Sequence, residues 1–266
     1  NKSTLQAIEQ FSLSGGNIIV FVDPLAESDP TTPDPTTPGI MPNLSSNPDI
    51  LLKSWGINFD PNYVIGNPDE AVYLNITGDS GPEKQLYLPW LQLKKANFSA
   101  SDFSTSSLSV LNIGTAGSLS RNNATKLETI PLIFSSGSSG LLRSESIIKA
   151  GNPKKLRNLF EKDNTKHIIA MRVSGLAKAI FNEANEPNLV NEGKINAVIV
   201  ADTDILTDRF WARPQQSNNR NNYTPFSDNG DFVTNLIDLF AGNGELISLR
   251  SRGNYSKPFE LVESLR

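Results

Sequence analysis

Cysteine is absent from this chain, which excludes thiol nucleophiles, disulfides, zinc–thiolate sites and iron–sulfur clusters. Histidine is nearly absent. The single His167 rules out His-rich metal sites and narrows the scope for acid–base chemistry. Basic runs go no further than Lys94-Lys95 and Lys154-Lys155, and the net charge is −4. Nucleic acid and anionic membrane surfaces are therefore poor candidates for main partners. No stretch approaches the roughly 20 apolar residues that span a bilayer, and no basic-then-apolar leader opens the chain. The chain reads as a soluble piece of something longer.

What is present suits one large α/β unit: 266 residues, of which 38% are hydrophobic, enough for a sizeable core. "TLQAIEQF" carries Leu5, Ile8 and Phe11 at helical spacing and is stopped by Gly15-Gly16. "NIIVFV" follows as a short, unbroken, β-branched run, the pattern of a buried strand. The next segment, "DPLAESDPTTPDPTTPGIMP", holds six prolines and is expected to be an exposed loop. "NPDILLKSWGI" predicts a short helix and "YVIGN" a strand. From about residue 67 to 121 the pattern changes. "AVYLNIT", "KQLYLPWLQL" (with Pro89 suggesting an edge strand) and "SLSVLNIG" predict a β-rich insertion.

Beyond "TIPLIFSS" and the flexible "SSGSSG", "PKKLRNLFEKD" predicts an amphipathic helix with proline in its first turn. Then come strands "KHIIAMRVSG" and "INAVIVAD", helix "GDFVTNLIDLFAG" and strand "ELISLRS". Unbroken apolar strands alternating with a helix predict a mostly parallel sheet with helices on both faces, in a single α/β domain over residues 1–266.

Two strands end in acids. Asp23 follows "NIIVFV", and Asp202, Asp204 and Asp208 follow "INAVIVA". Ligand sites in open α/β sheets gather outside strand carboxyl ends, so neighbouring strands would bring these carboxylates together where a hard cation could be held. The competing reading is structural. Asp after a strand caps a helix or closes an Asx-turn, and Asp204 could cap "ILTDRFW" with Asp208 on its solvated side. The structural reading carries more weight, so no metal and no cofactor is assigned. Arg250 and Arg252 form a basic cluster near the C-terminus that could receive a carboxylate or phosphate. Phe210 and Trp211, flanked by Arg209 and Arg213, suit an interface anchor. A catalytic His167 would need a nucleophile and an orienting partner, and no G-x-S-x-G elbow supplies one. Its place before "IIAMRV" predicts a surface strand start.

"LSGGNIIVFVDP", "RVSGLAKAIF", "VIVADTDILTDRFW" and "NGDFVTNLIDLFAGNGELISLRSRG" with its following "KPF", in this order, resemble the auxiliary components of uncharacterised ABC transport systems. That group is related to gliding-motility transporter auxiliary proteins. The resemblance implies a non-enzymatic, extracytoplasmic domain in the bacterial cell envelope, on the periplasmic side of the inner membrane. It would be tethered by segments absent here and work beside ABC permease and ATPase subunits. It also implies a flavodoxin-like fold of the class I glutamine amidotransferase-like group, whose enzymes need a cysteine this chain lacks. The family pattern places a further strand first, so the chain is expected to start close to or within the domain's beginning. The alternative is a cation-dependent hydrolase using Asp23, Asp202, Asp204 and Asp208.

Overall fold

A computed structural model describes residues 2–32, 36, 42–78, 81–181, 189–217 and 220–242. In chain order the helices are α1 (Lys2–Leu13), α2 (Asp49–Ser54), α3 (Ser144–Ala150), α4 (Pro153–Leu159), α5 (Asp208–Trp211) and α6 (Asn229–Phe240). The strands begin with β1 (Asn17–Phe21), β2 (Ile57–Phe59), β3 (Tyr63–Gly66), β4 (Ala71–Gly78), β5 (Gly81–Lys94), β6 (Val110–Gly114) and β7 (Leu119–Arg121). They continue with β8 (Glu128–Phe134), β9 (Gly140–Arg143), β10 (Ile168–Lys178), β11 (Glu192–Val200), β12 (Ala212–Ser217) and β13 (Arg220–Pro225).

The central sheet has the order β1-β11-β10-β7-β2, with β8 also pairing with β10. "NIIVFV", "HIIAMRV" and "NAVIVA" do share it, as β1, β10 and β11. Its directions correct the expectation of a mostly parallel, flavodoxin-like sheet. Only β1 and β11 run parallel, with Asn17 opposite Asn196 and Phe21 opposite Val200. The β10–β11, β10–β8, β10–β7 and β2–β7 pairs are all antiparallel. The physical reason is that an unbroken apolar run does not encode strand direction, since it suits a sandwich-core strand as well as a parallel one. Unbroken apolar runs report burial on both faces, which an antiparallel strand in the middle of a sheet also meets.

Alternating side chains build two cores. Ala197 and Ile199 of β11, with Met171 and Val173 of β10, pack against Leu13 of α1 and Leu51, Leu52 and Trp55 of the α2 region. Val198 and Val200 point the other way, onto Phe232 and Leu236 of α6 and onto Leu91, Leu93, Leu111 and Ile113. Those last four belong to a separate antiparallel sheet, β4-β5-β6, so one face of the central sheet is covered partly by strands. Pro89 sits in β5, the middle strand of that sheet rather than an edge. It is tolerated because the β4–β5 register breaks between Val72–Tyr87 and Ala71–Leu91, and the β5–β6 ladder starts at Trp90.

Several local readings take form. Gly15 adopts φ 92°, and the Gly16 N–H closes α1 on the Phe11 carbonyl at 3.0 Å. The Asn152 side chain caps α4 by accepting from Lys154 N at 2.8 Å, with Pro153 in the first turn. The described residues of the proline-rich segment form no helix or strand, only an isolated bridge between Asp23 and Ser46. The expected strand "ELISLRS" lies outside the described residues.

Candidate functional site

Because β1 and β11 run parallel and in register, the residues just past their ends emerge on the same edge of the sheet. Val22 N donates to Val200 O at 2.9 Å, which carries the pairing one step further and sets Asp23 beside Asp202. Asp204, two residues later, completes a trio in which one carboxylate oxygen from each residue lies within 4.8 Å of the others. All three are fully buried.

Each of the six oxygens has a donor. Asp23 accepts from Leu25 N at 2.8 Å and from the amide and hydroxyl of Thr203, both at 2.7 Å. Asp202 accepts from Gly114 N at 3.0 Å and from Ile205 N at 3.1 Å, so it, rather than Asp204, starts the 3-10 turn Asp204–Leu206. Asp204 reaches back to the loop after β1, accepting from Glu27 N at 3.0 Å and Ser28 N at 2.9 Å. The donors to the trio are backbone amides and the hydroxyls of Thr203 and, at 3.4 Å from Asp204, Thr115, and none carries positive charge. The trio therefore staples three segments together: the loop after β1, the end of β6 and the turn after β11.

Burial without a counter-ion has an electrostatic consequence. Desolvation pushes the Asp23 carboxyl up to about 7, against the lowering effect of Thr203, with Asp204 adding repulsion. Burial, then the charges of Asp23 and Asp204, hold the Asp202 carboxyl well above the ordinary carboxylate range. Three oxygen donors in this arrangement resemble what a hard cation would use. Their orientation toward amide hydrogens fits the stapling role better.

Thr115 completes the edge. Its φ of 54° is unusual for a β-branched residue, and its hydroxyl donates to Leu25 O at 2.7 Å. Glu27, held by Asp204 through its backbone, turns its own carboxylate onto an aromatic wall. Trp90 Nε1 donates to it at 3.1 Å, Tyr87 Oη at 3.3 Å and Arg209 Nη2 at 3.2 Å. Arg209 in turn lies over the Trp90 and Phe210 rings, 5.1 and 4.8 Å from their centroids. Burial raises the Glu27 carboxyl despite these partners, and it raises the Tyr87 hydroxyl as well.

The sequence candidates divide accordingly. Asp23, Asp202 and Asp204 are brought together. Asp208 is exposed on the first turn of α5 and takes no part. Arg250 and Arg252 lie outside the described residues. Phe210 is no interface anchor, being 5% exposed and packed with Gly114 and Trp90. His167 is not at the surface either. It is buried, with Nδ1 3.1 Å from Ser118 Oγ and Nε2 2.8 Å from Asp163 Oδ2. Glu27, Thr115 and the Ser118–Asp163 setting of His167 went unread in the sequence. The one available hint was an acid four residues after the strand-ending Asp23, inside a loop whose path no periodicity reveals.

The chain belongs to the ABC-type uncharacterized transport system family, whose profile matches residues 1–236. It is thus an auxiliary component of an ABC transport system. No curated protein and no solved structure is a match. No helix among the described residues is long and apolar enough to cross a membrane.

Proposed function

We propose that this chain is an auxiliary domain that works by binding or scaffolding beside the permease and ATPase of its transport system, on the extracytoplasmic face of the membrane, with no catalytic role for its Asp edge. Family membership supplies the transport context. The observation that carries the scaffolding reading is the state of the Asp trio. Every oxygen is already engaged in holding backbone from three segments. Such carboxylates shape a surface. The extracytoplasmic placement and the kinship to gliding-motility systems rest on the sequence resemblance, and a cysteine-free chain suits an oxidising compartment.

Co-expression with the permease and ATPase of its system tests the reading. The domain should co-purify with them, and alone it should turn over neither ATP nor glutamine, with or without Mg²⁺. Asp202→Ala should lower stability by about 0.5–2 kcal/mol, the cost of losing an acceptor at a helix start. Turnover that vanishes in Asp202→Ala while Tm stays fixed would establish the hydrolase instead.

A further inference from the structure

The same sheet edge carries a second constellation, which goes beyond the scaffolding role. Antiparallel pairing of β10 with β11 puts the start of β10 beside the end of β11, where Ala201 N donates to Ile169 O at 2.8 Å. Gly117 N donates to Ala201 O at 2.7 Å and brings the segment before β7 to the same place. A Cβ on Gly117 would come within 2.5 Å of the Phe59 ring and 3.2 Å of Pro24 Cδ, so the chain is pressed tightly here. Ser118 and His167 meet at this junction.

His167 is fixed from several sides. Its amide donates to Ser135 Oγ at 3.0 Å, and its carbonyl accepts from Ser135 N at 2.9 Å. Asp163 Oδ2 lies 2.8 Å from Nε2. A carboxylate can only accept, so the neutral imidazole carries its proton on Nε2. That leaves the Nδ1 lone pair facing the Ser118 hydroxyl at 3.1 Å. The nearby cations are directed elsewhere: Lys162 donates to Ser138 and Lys166 lies over the Phe134 ring. His167 is 8% exposed, while Ser118 in front of it is only half-buried. The order is a reachable hydroxyl, a shielded base with a defined tautomer, and a carboxylate that orients the base.

We propose that Ser118 is a nucleophile, with His167 its general base through Nδ1 and Asp163 a positioning residue, reacting with esters. In the first step Ser118 Oγ bonds to the acyl carbon while the ester C–O bond breaks. The hydroxyl proton passes to Nδ1 and leaves with the departing alkoxide as an alcohol. Water then repeats the sequence, releasing the carboxylic acid and restoring Ser118.

The test uses a fluorophosphonate probe, whose fluoride Ser118 Oγ would displace, read by intact mass and peptide mapping on the purified chain. The expected result is one adduct on Ser118, absent in Ser118→Ala and formed at least about a hundredfold more slowly in His167→Asn, the scale on which a general base contributes. Asp163→Asn should slow labelling and alter its pH profile. If His167→Asn does not fold, the native protein decides the matter. Its labelling rate should level off with rising pH, as a base with one protonation state dictates, rather than climb in proportion to hydroxide. Failure of the native chain to label, a label that survives Ser118→Ala, or a rate proportional to hydroxide would overturn the proposal. None of these outcomes bears on co-purification with the transporter.

Discussion

Asp102 and the Asp23–Asp202–Asp204 trio are both buried acid sites on the β6–α6 side of the sheet and at its edge, yet they are neutralised in different ways. Asp102, with a side chain 5% exposed, lies 2.7 Å from Arg172 Nη2 and accepts from the Ser104 amide at 2.9 Å and hydroxyl at 2.6 Å. The Arg172 contact is a charge contact without hydrogen-bond alignment, and Arg172 Nε has no partner. The trio has no cation among its hydrogen-bond partners, only backbone amides and hydroxyls. An ion pair answers a buried charge with a second charge. Amide donors answer only part of it, and the remainder is answered by keeping a proton.

The paired site should therefore break hardest when one partner goes. Asp102→Ala leaves Arg172 largely buried with nothing to balance it. Losing one partner of a buried pair typically costs 3–5 kcal/mol, and because the Arg172 side chain keeps 20% exposure the expected loss is about 2–3 kcal/mol. Denaturant unfolding of the variant checks this, and a loss under about 1 kcal/mol would show that the misaligned contact counts for little.

The unpaired site should announce itself through pH. Asp23 titrates near 7 in the folded chain against 3.8 for an ordinary aspartate. Between those values the folded state holds a proton that the unfolded state has released, so this group's stabilising contribution is complete below about pH 4 and is lost as pH rises through 7. Asp202, raised by the same burial, acts in the same direction. Asp23→Asn and Asp202→Asn should each flatten the fall in stability from pH 4 to 7. Thermal melts across that window give the slopes, and parallel curves for variant and native protein would remove the proton from the account.

Much of this site was legible in the sequence, though not its wiring. Unbroken runs ending in Asp23 and Asp202 placed two acids past two strands, and the parallel β1–β11 pair makes them neighbours. The direction of β10 was not legible, because apolar content reports burial and carries no strand polarity. Asp204 looked like a helix cap. Its bond to Glu27 and Ser28 spans more than 170 positions through a proline-rich loop, where no local periodicity registers a fold-back. His167 looked solitary for the same reason: Ser118 stands 49 residues away in sequence.

That long-range clasp gives a smaller effect. Asp204→Ala frees two backbone amides at the loop after β1 while relieving repulsion within the trio. The two changes oppose each other, leaving an expected net loss of about 1–2 kcal/mol. Hydrogen exchange should quicken at Glu27 and Ser28 before it does in β11. Unchanged protection at those two amides would mean the loop is held by Thr115 and the aromatic wall instead.

The smallest effect separates pairing from burial. Lys53 and Asp49 form an ion pair at 2.6 Å, one turn apart on α2, as close as any contact at Asp102. Both side chains are open to water, at 62% and 42% exposure. Solvent screens the attraction, and holding two long side chains in one geometry costs entropy, so exposed helix pairs of this spacing contribute about 0.3–0.5 kcal/mol. Lys53→Ala should therefore shift stability by no more than about 0.5 kcal/mol, and added salt should erase even that. Alanine's better helix propensity offsets part of the loss. The contrast with Asp102→Ala then rests on burial and on the two Ser104 bonds that Asp102 also accepts, since the two ion contacts are almost equally short. If Lys53→Ala instead matched Asp102→Ala in denaturant melts at low and high salt, burial would not be what distinguishes the two sites.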